Sequence, residues 1–383
     1  MLRIESPNER AFRSEVRSWL DRNIPDHLRH LTFRPQPADA MPWYKALSRR
    51  GWIAPHWPVS AGGMGATPVE QAILMEELAQ AGAPDIPTQG LNHIGPLLIK
   101  AGTPEQKAMH LSRIVNGDAI WCQGYSEPNA GSDLASLVTR ARIEDDHLVI
   151  NGHKIWTTWG HHAHWMFALV RTSGKRRDGI TFVLIDMATS GITRRPIVTI
   201  AGDDEFCEVF FDEVRVPLSN VVGEIGQGWK VATSLLDDER MHLGTPLSVN
   251  RALVRLKRLV ARLSKQEQAR WMARVTEAEI AVETVTAAWL DVSERFEAGV
   301  GVENESSYLK ILATETVQSI LDMALEVAGS DAARCEPVLE GNKRIDVNEM
   351  FLQSRRLTIY GGSNEIQRSI LATRVLGMGG GRG

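Results

Sequence analysis

Two short segments, Ser126-Glu127-Pro128-Asn129-Ala130-Gly131-Ser132-Asp133 and Lys154-Ile155-Trp156-Thr157-Thr158, carry the residue types that a ligand site needs. The first reads as a turn. Its small residues and hydroxyls, at Ser126, Gly131 and Ser132, let backbone N–H and side-chain O–H groups close on an anionic or carbonyl-rich molecule, as phosphate-cradling loops do. The second supplies a flat apolar wall, Trp156. Thr158 follows two residues later and in a regular strand falls on the same face, so a ring stacked on the indole meets a hydroxyl. Together the two segments point to a bound flavin.

Both segments resemble the acyl-CoA dehydrogenase family, whose flavin loop reads Ser/Thr-Glu-x-x-Ala-Gly-Ser-Asp and is followed by Trp-x-Thr/Ser. Through that resemblance Gln123, Tyr125, Ser126, Ser132, Trp156, Thr157 and Thr158 are expected to bind FAD, with Ser132 also meeting the substrate. A Rossmann site is excluded on pattern: Gly223, Gly226 and Gly228 have the wrong order for Gly-x-Gly-x-x-Gly and sit in no βαβ unit.

Removing hydrogen from the α and β carbons of a thioester needs a carboxylate for the α proton while a hydride leaves the β carbon. Most members of the resembled family carry that glutamate in a late Tyr-Glu-Gly-Thr motif. Here the segment reads Tyr360-Gly361-Gly362-Ser363-Asn364-Glu365-Ile366-Gln367-Arg368, and the glutamate is missing. A minority, the isovaleryl-CoA and long-chain enzymes, carry it in Leu-x-x-Glu-Arg on an earlier helix, and Leu236-Asp237-Asp238-Glu239-Arg240 is similar to that. Glu239 is the candidate base. A run of four charges is ordinarily a solvated helix face. Successive helical positions turn by about 100°, however, so Glu239 shares its face with Leu235, Leu236 and Leu243, whereas Asp237 neighbours Thr233, Ser234 and Met241. Desolvation on that stripe raises a carboxyl pKa toward a useful range, and Asp238 nearby adds a like-charge push.

Glu365 is the competing carboxylate, placed at a helix start. Asn364 with Gln367 reads as a capping-box-like pair, which sets Ser363, Asn364 and Glu365 at a positive helix end suited to flavin phosphate or ribityl groups. Gly361 keeps a backbone N–H able to polarise the thioester carbonyl. Its lack of a side chain also opens space, which in the resembled enzymes accompanies branched or bulky acyl groups. Asp237 and Arg240 are expected at the substrate, Arg240 either at the CoA portion or paired with Asp237 on the surface. His161-His162-x-His164 forms no metal set: the adjacent pair points to opposite strand faces and no Cys or carboxylate completes it. Trp43, Trp52 and Trp57 are read as core.

The elements that position these residues fall into three stretches. Ser6-Pro7-x-Glu9, Thr67-Pro68-x-Glu70 and Thr103-Pro104-x-Gln106 each combine a hydroxyl cap, proline at the first helical position and Glu or Gln three residues on, so residues 1–118 form a helical domain. From 119 to 225 the period becomes two, with strands at 138–143, 148–150, 165–170, 180–185 and 206–216 separated by tight-turn residues, an antiparallel β-domain. From 226 to 383 helical spacing returns at 229–263, 266–298, 305–328, 346–358 and 365–376, a helical bundle. The fold class is therefore α+β, helical then β then helical, which is also the order in the resembled family.

A hydrophobic content of 43% over 383 residues supports several packed units, and a net charge of −4 with interspersed signs excludes a nucleic-acid grip. Cys122, Cys207 and Cys335 have no metal-type spacing and fit a reducing compartment. No run of about 18 apolar residues exists, so the chain is expected to be cytoplasmic and without a membrane span. The resemblance implies formation of a trans-2-enoyl-CoA with electrons passed to an electron-transferring flavoprotein, in a homodimer or homotetramer. An acyl-CoA oxidase would use the same residues and differ in letting oxygen reach the reduced flavin. One departure from the family stands out: the segments that hold a neighbouring subunit's FAD, Arg-x-x-Phe and Gln-x-x-Gly-Gly, have no clean match at 261–270 or 326–330. That leaves room for a partner subunit of different sequence, and for a non-catalytic subunit lending its surface to an active homologue.

Overall fold

A computed structural model describes residues 4–31, 34–333, 338–340 and 343–378; the side chains of residues 236–240, 303 and 338–345 lie outside the described set. The N-terminal stretch is helical: α1 (Pro7–Asn23), α2 (Pro37–Arg50), α3 (Pro68–Gln80), α4 (Gly95–Ala101) and α5 (Pro104–Val115). All three expected helix starts form. Ser6, Thr67 and Thr103 accept from the backbone N–H three residues on, and Glu9, Glu70 and Gln106 return a bond to the cap N–H at 2.7, 2.9 and 3.1 Å.

The middle stretch forms β1 (Trp121–Gly124), β2 (Arg140–Glu144), β3 (His147–Thr158), β4 (Trp165–Arg171), β5 (Ile180–Asp186), β6 (Ile192–Ile197) and β7 (Phe206–Pro217) in one sheet. Pairing is antiparallel except that β1 runs parallel to β4, with a single parallel pair between β2 and β4. β1 and β6 lack a clear alternation in sequence. β1 is short, and in β6 the pattern Ile-Thr-Arg-Arg-Pro-Ile gives little apolar signal. Leu148, Ile150, Met166, Val183, Val209 and Val214 build one core of the sheet. Elsewhere Phe167 and Phe182 stack at 6.1 Å, with Tyr125 edge-on to both.

The C-terminal stretch contains α6 (Gly228–Leu243), α7 (Pro246–Val260), α8 (Lys265–Glu297), α9 (Glu303–Ala328), the short pair β8 (Val338–Glu340) and β9 (Lys343–Ile345), α10 (Val347–Ser354) and α11 (Asn364–Arg374). The helix expected across 229–263 is two helices. Pro246 has no N–H to continue the ladder and holds Thr245 extended, at φ −70° and ψ 153°. Val249, Leu256, Val282, Val317, Ile320 and Met350 form the core of α7 to α10.

By its contacts the chain divides into two units, one of residues 1–43, 66–85 and 240–383, the other of 44–65 and 86–239. Among the described residues no helix is long and apolar enough to cross a membrane.

Candidate flavin and acyl-thioester site

Within the second unit the two motif segments are joined. The loop leaves β1 at Gly124 and closes a tight turn in which Glu127 and Ala130 exchange backbone bonds of 3.1 and 3.0 Å. The Ile155 N–H donates to the Ser126 carbonyl at 2.9 Å, and the Lys154 ammonium donates to Glu127 Oε1 at 2.8 Å and the Tyr125 carbonyl at 3.1 Å. Lys154 is 0% exposed and Glu127 5%. The carboxylate also accepts from the N–H groups of Val138 (2.6 Å) and Thr139 (2.9 Å). Burial opposes charge on Glu127, yet Lys154 and those donors hold it below the usual carboxylate range. Burial pulls the Lys154 ammonium down to about 8, with Glu127 acting the other way.

At the end of β3 the strand bulges. Lys154 pairs with Val209 and Thr157 with Cys207, so three steps on β3 match two on β7. Trp156 occupies the bulge at φ +60°. A regular pleat, the basis for placing Trp156 and Thr158 on one face, therefore does not run through this point. Exposure still separates them from the core: Trp156 is 56% exposed, Thr157 is buried and Thr158 is half-buried. The indole meets Phe206 edge-on at 6.0 Å. The Thr157 hydroxyl is buried without a hydrogen-bond partner among the described residues.

Gln123 is half-buried on β1, Ser126 half-buried, and Ser132 exposed at the loop tip. The Tyr125 ring packs the sheet, leaving its carbonyl to the loop. An exposed flat indole on a strand hydrogen-bonded to a loop of small residues fits a flavin. Glu127 and Lys154 carry no role in the sequence reading. A lysine in a strand of apolar and aromatic neighbours is the signal that marks them.

In the first unit the late segment forms a turn with Gly361 at φ +66° and Gly362 at φ +79°. Helix α11 is capped by Ser363, whose hydroxyl accepts from the Ile366 N–H at 3.4 Å, so the cap is Ser363 rather than Asn364. Asn364 is buried instead. It accepts from the buried Lys310 ammonium at 2.6 Å and donates to Thr314 and Glu315 at 3.2 and 3.0 Å. Gln367 does not close a box either: its amide donates to the carbonyls of Gly361 and Gly362, both at 3.2 Å, and so fixes the turn that offers the Gly361 N–H. Glu365 is exposed, and its own N–H and Ser363 hold it below the usual carboxylate range, as expected of a carboxylate at a helix start.

A Cβ at Gly362 would lie 2.4 Å from Gln367 Nε2. Gly362→Ala is expected to cost roughly 1–2 kcal/mol for the left-handed backbone, with further loss as Gln367 is displaced. Thermal unfolding measures this. An unchanged midpoint would remove the role given to the turn.

On α6, whose backbone is helical throughout, Leu235 and Ala232, one and two turns before Glu239, are buried, and the same helix carries Glu239, Asp237 and Arg240. Their side chains lie outside the described residues. His161 and His162 sit in a turn rather than on a strand, their rings 4.0 Å apart. Cys122 and Cys207 are buried, and burial raises both thiols, Cys207 to about 11. Cys335 lies outside the described residues.

Three family models match in chain order: the acyl-CoA dehydrogenase N-terminal domain over residues 6–118, the middle domain over 122–214 and the C-terminal domain over 226–376. The chain belongs to the acyl-CoA dehydrogenase family. It is therefore a flavin-dependent oxidoreductase acting on CH–CH bonds. Among its relatives is the acyl-CoA dehydrogenase IpdE1 of Mycobacterium tuberculosis, 35% identical over 96% of this chain and 97% of that one. Among solved structures, the Tcur3481-Tcur3483 steroid ACAD superposes with a TM-score of 0.86 at 29% identity, covering 99% of each chain. The ChsE4-ChsE5 complex from Mycobacterium tuberculosis superposes at 0.82 and 29% identity over the whole of both chains.

Proposed function

We propose that this acyl-CoA dehydrogenase binds FAD and converts an acyl-CoA thioester to a trans-2-enoyl-CoA, passing electrons to an electron-transferring flavoprotein in the cytoplasm. The observation that carries the reading is the joined pair of motifs, with Trp156 exposed beside a loop locked to its strand. Gln123, Tyr125, Ser126, Ser132, Trp156, Thr157 and Thr158 would hold the flavin, with Ser363 and Glu365 at a helix N-terminus favouring its polar groups. FAD supplies the acceptor for the hydride from the β carbon. Glu239 takes the α proton. The Gly361 N–H polarises the thioester carbonyl as negative charge develops on its oxygen, which lowers the α-proton pKa. Ser132, Asp237 and Arg240 line the substrate.

The acyl group is proposed to be bulky and polycyclic. A glycine stands at the position of the late glutamate, and one of the similar solved structures is a steroid ACAD. The test is anaerobic titration of the oxidised protein with straight, branched and polycyclic acyl-CoAs. Bleaching of the flavin band by the polycyclic thioester in preference to the others is expected. Failure of every acyl-CoA to reduce the flavin would overturn the reading.

A second reading concerns assembly. The missing matches to the segments that hold a neighbour's FAD, together with a heteromeric relative, favour a complex with a subunit of different sequence over a homotetramer. Co-expression with a homologous chain, followed by measurement of flavin per subunit, separates the two. Full flavin loading of the chain alone would favour the homo-oligomer.

A further inference from the structure

We propose that the buried Glu127–Lys154 pair is a positioning device that fixes the bulge carrying Trp156 against the Ser126–Ser132 loop, and so sets where the flavin ring sits. The proposal rests on the flavin reading above. A buried ion pair is a weak route to stability, because two charges must leave water and apolar residues of similar volume often do as well. Its placement points to another role. Lys154 is the last residue of β3 in register before the bulge, and the next residue, Ile155, spends its N–H on Ser126. Glu127 is the next residue after Ser126 and gathers Lys154, Val138 and Thr139 on one carboxylate. Three segments, the loop at Glu127, the backbone at Val138 and Thr139, and the strand that leads into the bulge, thus converge on one carboxylate. The bulge also holds a tryptophan in the left-handed region, a strained conformation that persists only where surrounding bonds impose it.

The test compares Lys154→Met with the double variant Lys154→Met, Glu127→Gln, whose amide carbonyl can still accept from the Val138 and Thr139 N–H groups. The single variant leaves an unpaired buried carboxylate and is expected to unfold at much lower temperature. The double variant removes both charges and is expected to recover a cooperative melt near that of wild type. FAD affinity and the visible band are then read in the refolded protein. Binding weakened by about tenfold or more, with a shifted or broadened band, supports positioning; a tenfold loss is what about 1.4 kcal/mol of misalignment gives. Lys154→Arg, which keeps the charge, is expected to restore part of the affinity. A double variant with wild-type affinity and spectrum would overturn the proposal and leave the flavin reading intact. One that loses its cooperative melt makes the pair a folding requirement and also overturns it. Wild-type protein that takes up no FAD overturns both.

Discussion

Glu239→Gln is expected to lower turnover by at least about 100-fold while FAD stays bound, because the amide keeps size and hydrogen bonding but cannot accept the α proton. The position follows from what the late segment lacks. Gly361 stands where the family's common base would be, and the remaining carboxylate there, Glu365, is an exposed helix-start anion stabilised by its own N–H and Ser363. A base held below the ordinary carboxylate range is poorly matched to an α proton, so Glu365→Gln should cost far less. The informative measurement is flavin reduction by substrate in a single turnover, since steady-state rates also include electron transfer onward. Near-normal reduction in Glu239→Gln would sink the assignment and return the role to Glu365 or to a residue of a partner subunit. Moving the carboxylate, with Glu239→Gly and Gly361→Glu together, should recover some activity on unbranched acyl-CoAs if the two positions reach the same α carbon.

Much of the architecture is legible in local chemistry. The three N-terminal capping boxes form as read, because a hydroxyl, a proline and a Glu or Gln at fixed offsets satisfy orphan N–H groups without help from the rest of the chain. A fourth, Ser264 with Glu267 at the start of α8, has the same signature without proline. Local signals fail where a partner strand or a distant side chain decides. β6 forms because β7 offers a register from Ile192 opposite Phe211 to Ile197 opposite Phe206, not because its own residues alternate. Asn364 and Gln367 look like a capping pair by spacing, but Lys310 on α9 captures the first and the carbonyls of the glycine turn capture the second. The site is legible in the same degree. Motif spacing marks the loop and the indole, whereas the ion pair that ties them depends on Lys154 facing inward, which no spacing reveals.

Trp156 offers a way to separate ring from backbone. Trp156→Ala should weaken FAD binding by roughly 30-fold, since losing one stacked apolar face is worth about 2 kcal/mol, and should blue-shift or broaden the flavin band. It leaves a residue with a Cβ at φ +60°, where the backbone is strained. Trp156→Gly loses the same ring but relieves that strain. Relief of about 1–2 kcal/mol is offset in part by the greater freedom of glycine in the unfolded chain, about 0.4–1 kcal/mol. The flavin-free glycine variant should therefore melt no lower than the alanine variant, while both show the same flavin defect. If the glycine variant instead binds FAD much more weakly than the alanine variant, the backbone conformation and not the indole carries the contact. If both bind FAD as wild type does, the ring is not seated on Trp156, and the flavin loop alone would have to account for the site.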